Sequence, residues 1–330
     1  MLRPGRLALL AAVCLAASPG QAALQPGRYQ GYNIILISLG NVGTQHMSAY
    51  GYERKTTPNI DRWAAKATVF ENAFSPASWT LPVAASLFTS LYPYTHGVVM
   101  RDYQNSLSPA IMTLPEIFRQ AGYRTAAFTG GLDYYRDFSF MRGFSEAARN
   151  PNFTQSRVTL AQAKAWLRKN GDRRFFLFVH GYDAHCPFDP PASAQGVFSG
   201  PRRGADVQVD SKRCFRGLRR GAEGRYDVFA FQMCRNQEGC KPCGPRPAQR
   251  LVLRQADVDQ LRDLYDETVL GLETRVGAFL DSLDERLLRK TVVVLFSEHG
   301  EMFAKHGRFG RAGLVRGTHY DDVLHVFGNH

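Results

Sequence analysis

The chain has 330 residues, 44% of them hydrophobic, a formal charge of +12 and a pI near 9.6. That length and apolar share exclude a disordered or collagen-like chain and suit one large or two ordinary domains. The basic balance raises nucleic acid as a partner, but no helix–turn–helix, zinc-finger or RNA-binding pattern accompanies it.

Residues 1–23, "MLRPGRLALLAAVCLAASPGQAA", begin with Arg3 and Arg6. An apolar run from Leu7 to Ala17 follows, closed by small residues. This is the layout of a secretory leader, too short to span a bilayer comfortably. It predicts an exported chain, periplasmic or secreted, whose working part is 24–330. "NIILISL" (33–39) is a continuous apolar run between Gly31 and Gly40 and reads as a buried parallel strand. "TPNIDRWAAKA" (57–67) reads as a helix. In "SWTLPVAASLFTS" (78–90), Thr80 precedes Leu81 and Pro82. Proline favours a first helical turn, so Thr80 should stand at a helix N-terminus, where free N–H groups attract anions. Two readings follow for Thr80: a helix cap, or a nucleophile aimed at an anionic ester.

Thr113 and Glu116 have capping-box spacing, predicting a helix over 113–122 that stops at Gly122. A strand follows at 124–130, a helix at 159–171 and a buried strand at 174–180. Residues 191–250 break this rhythm with Gly, Pro, Arg and Cys. Residues 201–250 hold twelve Lys or Arg against five Asp or Glu, and read as a basic insertion. An anionic glycan, lipid headgroup or anionic substrate suits it better than nucleic acid; a solvated surface is the plainer reading. Cys186, Cys214, Cys234, Cys240 and Cys243 favour disulfides in an exported chain, with a zinc knuckle at Cys240-x-x-Cys243 as the alternative. Five is an odd number, and Cys186 is the expected unpaired thiol. A long amphipathic helix spans 256–285 and a last strand 291–297.

Strands alternating with helices predict an α/β fold with a mainly parallel sheet, and chemistry just beyond the strand C-termini. Polar residues fall at those places: Asn41, His180 with Asp183, and Glu298 with His299.

Together, residues 33–98, "FFLFVHGYDAHCPFDPP" (175–191) and "TVVVLFSEHGEMFAKHGRFG" (291–310) resemble the sulfatase branch of the alkaline phosphatase superfamily. The likeness runs over nearly all of 32–327. It implies an α/β sandwich with a mixed, mainly parallel central sheet, and hydrolysis or transfer of sulfate and phosphate esters with one or two divalent metals. It also implies a further strand and a C-terminal subdomain beyond "HVFGNH", both apparently missing here. A metal-binding Asp usually follows the first strand in this family; that place is Gly40, followed by Asn41. The pattern whose Cys or Ser becomes formylglycine reads Thr80-Leu81-Pro82-Val83-Ala84, so no formylglycine forms and the Arg is Ala84. Threonine is the nucleophile in phosphotransferase relatives. The family's Asp-His-Gly appears as Glu298-His299-Gly300.

The expected catalytic residues are therefore Thr80, His185 and His319. A single divalent ion (Zn, Mn, Ca or Mg) would rest on Asn41, Glu298 and His299, and Lys305 and His306 would meet the anionic group. The expected partner is an anionic ester, such as a sulfated or phosphorylated glycan or lipid. The competing expectation is a non-catalytic relative, a pseudoenzyme or truncated copy, that kept the fold and binds an anionic glycan or lipid through the insertion. Gly40 and Ala84 favour that reading.

Overall fold

The computed structural model describes residues 27–102, 105–134, 138–200, 209, 213–220, 225–232, 249–310, 320–326 and 328–329. Two units are separated, Met1–Gly31 and Tyr32–His330. Of the first, the described part is a turn closed by the Gln30 N–H donating to the Gly27 carbonyl. The leader prediction, Cys234, Cys240, Cys243 and His319 lie outside the described residues.

The second unit is α/β. Its central sheet contains β1 (Asn33–Ser38), β2 (Arg124–Phe128), β3 (Glu146–Ala147) and β4 (Phe175–His180). Three strands form a separate sheet: β5 (Arg213–Arg220), β6 (Tyr226–Gln232) and β7 (Gln249–Leu253). The central sheet is completed by β8 (Thr291–Phe296) and β9 (Gly328–Asn329). Its order is β9-β8-β1-β4-β2-β3, parallel except for β9, which runs antiparallel on β8. The expected mixed, mainly parallel sheet is present. Gly328 and Asn329 pair with Phe296 and Leu295 at the β8 edge.

The apolar runs explain why these strands lie at the centre. Side chains alternate across a strand. Ile35, Ile37, Leu177 and Val179 face one layer, with α4 (Ser156–Asn170) and α5 (Gln255–Asp281). Leu36, Phe176 and Phe178 face the other, with α2 (Thr80–Thr89). Both faces are covered, so the strands are apolar throughout rather than alternating. In the other helices, the local signals set the ends. In α1 (Pro58–Ala64), proline opens the first turn. In α3 (Leu114–Gln120), the Thr113–Glu116 capping box is formed at both hydrogen bonds. Helix α4 begins three residues before its predicted start, because the Asp183 side chain binds the Ser156 N–H at 2.6 Å and anchors that end.

Cys186 is not unpaired: it forms a disulfide with Cys214 on β5, so this sheet is tied to the loop after β4. Loop spacing could not reveal that partner, because the two cysteines meet only once β5 folds back beside the loop. Among the described residues, no helix is long and apolar enough to cross a membrane.

Candidate active site

Register places the site. Ser38 of β1 pairs with both His180 of β4 and Phe296 of β8, so three strand ends are level. Two residues further on, the Glu298 N–H donates to the Gly40 carbonyl at 2.8 Å. Gly40 has φ +68°, in the left-handed region. A Cβ there would stand 3.2 Å from the Gly181 carbonyl oxygen.

Glu298 is fully buried. Its Oε1 accepts from Ser38 Oγ at 2.6 Å and from the Tyr134 hydroxyl. His180 Nε2 lies 3.5 Å from the same oxygen. His180 Nδ1 accepts the Gly130 N–H at 3.4 Å, so a neutral ring carries its proton on Nε2, towards Glu298. Burial pushes the Glu298 carboxyl up to about 7, against the pull of the Ser38, Tyr134 and Thr80 hydroxyls, while buried Asp133 nearby adds to the rise. Burial also lowers His180 to about 3 and raises the Tyr134 hydroxyl well above its ordinary value. Glu298 Oε2 is buried and completes no hydrogen bond.

Thr80 is the first residue of α2, as its sequence setting predicts. Trp79 before it is extended and provides no side-chain cap, leaving the first-turn N–H groups of Thr80 and Leu81 to other partners. Thr80 Oγ1 lies 3.3 Å from His299 Nε2. His299 Nδ1 is 3.0 Å from the Gly300 carbonyl, a contact that requires a proton on Nδ1. In the neutral ring, Nε2 is then an acceptor and the threonine hydroxyl can donate to it. Both residues are buried. Ala84 is buried in the same helix, where a cation is absent. Arg101 lies over the Trp79 ring at 5.0 Å and binds Asp133 through Nη2 at 2.8 Å.

The fold therefore brings Thr80, Glu298 and His299 together and separates the other expected residues. Asn41 donates its side-chain amide N–H to Glu301 at 2.8 Å, and its backbone carbonyl accepts from the Tyr265 hydroxyl at 2.7 Å. His185 is buried beside the Phe153 and Tyr182 rings, with Nδ1 2.6 Å from the Cys186 carbonyl. Lys305 is exposed and bound to Asp322 at 2.5 Å. It lines a cleft of about 270 Å³ shared with Arg54, Arg262 and Glu301. His306 is exposed, stacked on Tyr320 with ring centres 3.7 Å apart. Asp183 is occupied by Ser156 and by Arg275 at 2.5 Å. Ser38 and Tyr134 were not foreseen. Ser38 is a polar residue closing an apolar strand, a usable signal; Tyr134, in "GGLDYY", has none.

An open zinc site takes three protein ligands. Among the described residues, no group of three or more His, Cys, Asp or Glu is placed to hold a metal ion. With glycine at 40 and the Asn41 amide nitrogen committed to Glu301, the strong ligand atoms left at the strand ends are Glu298 Oε2 and His299 Nε2, the latter 3.3 Å from the Thr80 hydroxyl. One carboxylate and one imidazole do not fit a resident divalent ion.

This sheet, with its polar cluster beyond the strand C-termini, defines an alkaline-phosphatase-like α/β protein. The family model described as Sulfatase matches residues 32–322, and the chain belongs to that family. It is 24% identical over 356 residues to iduronate 2-sulfatase of Mus musculus, covering 92% of this chain and 60% of that protein. The chain thus spans about three fifths of that relative's length. Among solved structures, the phosphonate monoester hydrolase of Agrobacterium radiobacter aligns with a TM-score of 0.63 at 17% identity, over 90% of this chain and 67% of that one. The zinc complex of the C-terminal periplasmic domain of EptC from Escherichia coli aligns at 0.59 and 17% identity, over 90% and 72%. These likenesses establish a shared fold.

Proposed function

We propose that the chain hydrolyses or transfers a sulfate or phosphate ester, with Thr80 as nucleophile and His299 as its base. One observation carries the reading: the 3.3 Å contact between Thr80 Oγ1 and His299 Nε2 at the uncapped start of α2. A hydroxyl attacks well only when its proton has somewhere to go. Thr80 Oγ1 bonds to the sulfur or phosphorus as its proton passes to His299 Nε2. The ester's alcohol oxygen leaves and takes a proton back from His299. Water or a second alcohol then releases the group from Thr80. The first-turn N–H groups of α2 and the helix dipole stabilise the anionic group. The Gly300 carbonyl holds His299 in the tautomer that accepts on Nε2.

The substrate class follows from the same chemistry: a singly esterified, anionic sulfate or phosphate on a glycan or lipid. The names of the relatives support this, one a sulfatase for a sugar acid and one a phosphonate ester hydrolase. Export is part of the proposal. The leader-like residues 1–23 support it, as does the Cys186–Cys214 disulfide, a bond typical of oxidising compartments. Thr80→Ala should abolish release of 4-nitrophenol from its sulfate, phosphate and phosphonate esters while leaving the melting temperature unchanged. Wild-type turnover in that variant would overturn the proposal.

A second reading has its own observation. Gly40 and buried Ala84 remove a carboxylate and a cation from the site. On that reading the fold persists as an anion-binding protein, and the basic stretch at 201–250 carries the contact. Retained binding to a sulfated glycan without turnover in the wild type would favour it.

A further inference from the structure

We infer that the position a divalent ion occupies in this family is filled here by hydrogen-bond donors, and that the folded chain holds no resident dication there. The inference does not depend on whether Thr80 turns over an ester.

Four observations converge on it. First, residue 40 has no side chain and little room for one: a Cβ would stand 3.2 Å from the Gly181 oxygen, on a backbone at φ +68°. Second, the neighbouring Asn41 offers no carboxylate: its side-chain amide nitrogen donates to Glu301, and its backbone carbonyl accepts from Tyr265. Third, Glu298 Oε1 already receives two hydroxyl protons, from Ser38 and Tyr134. Those two protons occupy lone pairs that this oxygen would otherwise offer to a cation. Fourth, His180 turns a protonated Nε2 towards the same oxygen, because its Nδ1 accepts from Gly130. A ring nitrogen that bears a proton cannot ligate a metal.

What remains is Glu298 Oε2, which completes no hydrogen bond, and His299 Nε2, 3.3 Å from the Thr80 hydroxyl. Hard dications are held by clusters of anionic oxygens, and zinc by three or four strong ligands. Two strong donors in a dry site fall short of either. The two hydroxyls satisfy Glu298 by hydrogen bonding in place of the ion, as buried polar groups require.

The test uses the purified protein, incubated separately with excess Zn, Mn, Ca and Mg. Unbound ion is removed by gel filtration, and retained metal is measured by elemental mass spectrometry. Melting temperatures are recorded with each ion and with EDTA. We expect no retained ion that depends on the site and no shift in melting temperature. Ser38→Ala and Tyr134→Phe should each lower the melting temperature, because each removes a donor on which Glu298 relies. About one equivalent of metal that is lost in the Glu298→Ala/His299→Ala double variant would overturn the inference. So would a Tyr134→Phe variant as stable as the wild type, since the donors would then not be what holds Glu298. Metal retained equally by the wild type and the double variant lies elsewhere and leaves the position filled as inferred.

Discussion

Ser38 and Glu298 are 260 residues apart in the chain and 2.6 Å apart in the fold. The bond joins the end of the first central strand to the loop after the last long one. Everything proposed for this site turns on how the chain keeps a carboxylate at that depth.

The first consequence is a pair of opposed pH slopes. Glu298 has an ordinary value of 4.5 and a folded value of about 7. The folded state therefore holds this proton after the unfolded state has lost it, and stability falls as pH rises from 4.5 to 7. His180 has an ordinary value of 6.5 and a folded value of about 3. The unfolded state binds that proton first, so stability rises with pH from 3 to 6.5. Between 4.5 and 6.5 the two slopes oppose each other. Glu298→Gln should leave a melting temperature that climbs more steeply than wild type over that window. His180→Gln should leave one that climbs less or falls. Three parallel curves would refute both assignments.

Asp183 should prove structural rather than catalytic. It binds the Ser156 N–H and hydroxyl at the start of α4, and Arg275 of α5 at 2.5 Å. Asp183→Asn keeps the shape and loses the charge, which should cost about 2 kcal/mol, the scale of a charged hydrogen bond. Urea unfolding would measure it. Ester turnover per folded molecule should remain at the wild-type level.

The Cys186–Cys214 bond should stabilise chiefly through the unfolded chain. Closing a loop with a sequence separation of 28 contributes about 3.6 kcal/mol in the chain-entropy picture. Cys186→Ser should lower the denaturant midpoint accordingly, and a reductant should lower the wild type towards the same value. A midpoint insensitive to both would mean that the three-stranded sheet docks without the bond.

The fold was largely legible because its signals are local. Continuous apolar runs identified β1, β4 and β8, and the Thr113–Glu116 pair identified the capped start of α3 to within one residue. Thr80, Glu298 and His299 were legible for the same reason: a helix start and a strand end are each written in a few neighbouring residues. The rest of the site depends on distant packing. Tyr134 reaches Glu298 across 164 positions from a short turn that carries no pattern. Asn41 follows a strand end as expected, yet Glu301 captures its amide, and adjacency in sequence says nothing of that direction. Cys186 looked solitary because its partner arrives on a strand of the second sheet.

Gly40 also constrains which side chain this position can accept. A side chain introduced there would have to tolerate a left-handed backbone, at roughly 1–2 kcal/mol for an L-residue, together with close approach to the Gly181 carbonyl. A carboxylate placed at residue 40 would therefore draw on folding stability unless the Gly181 carbonyl gave way by a few tenths of an ångström.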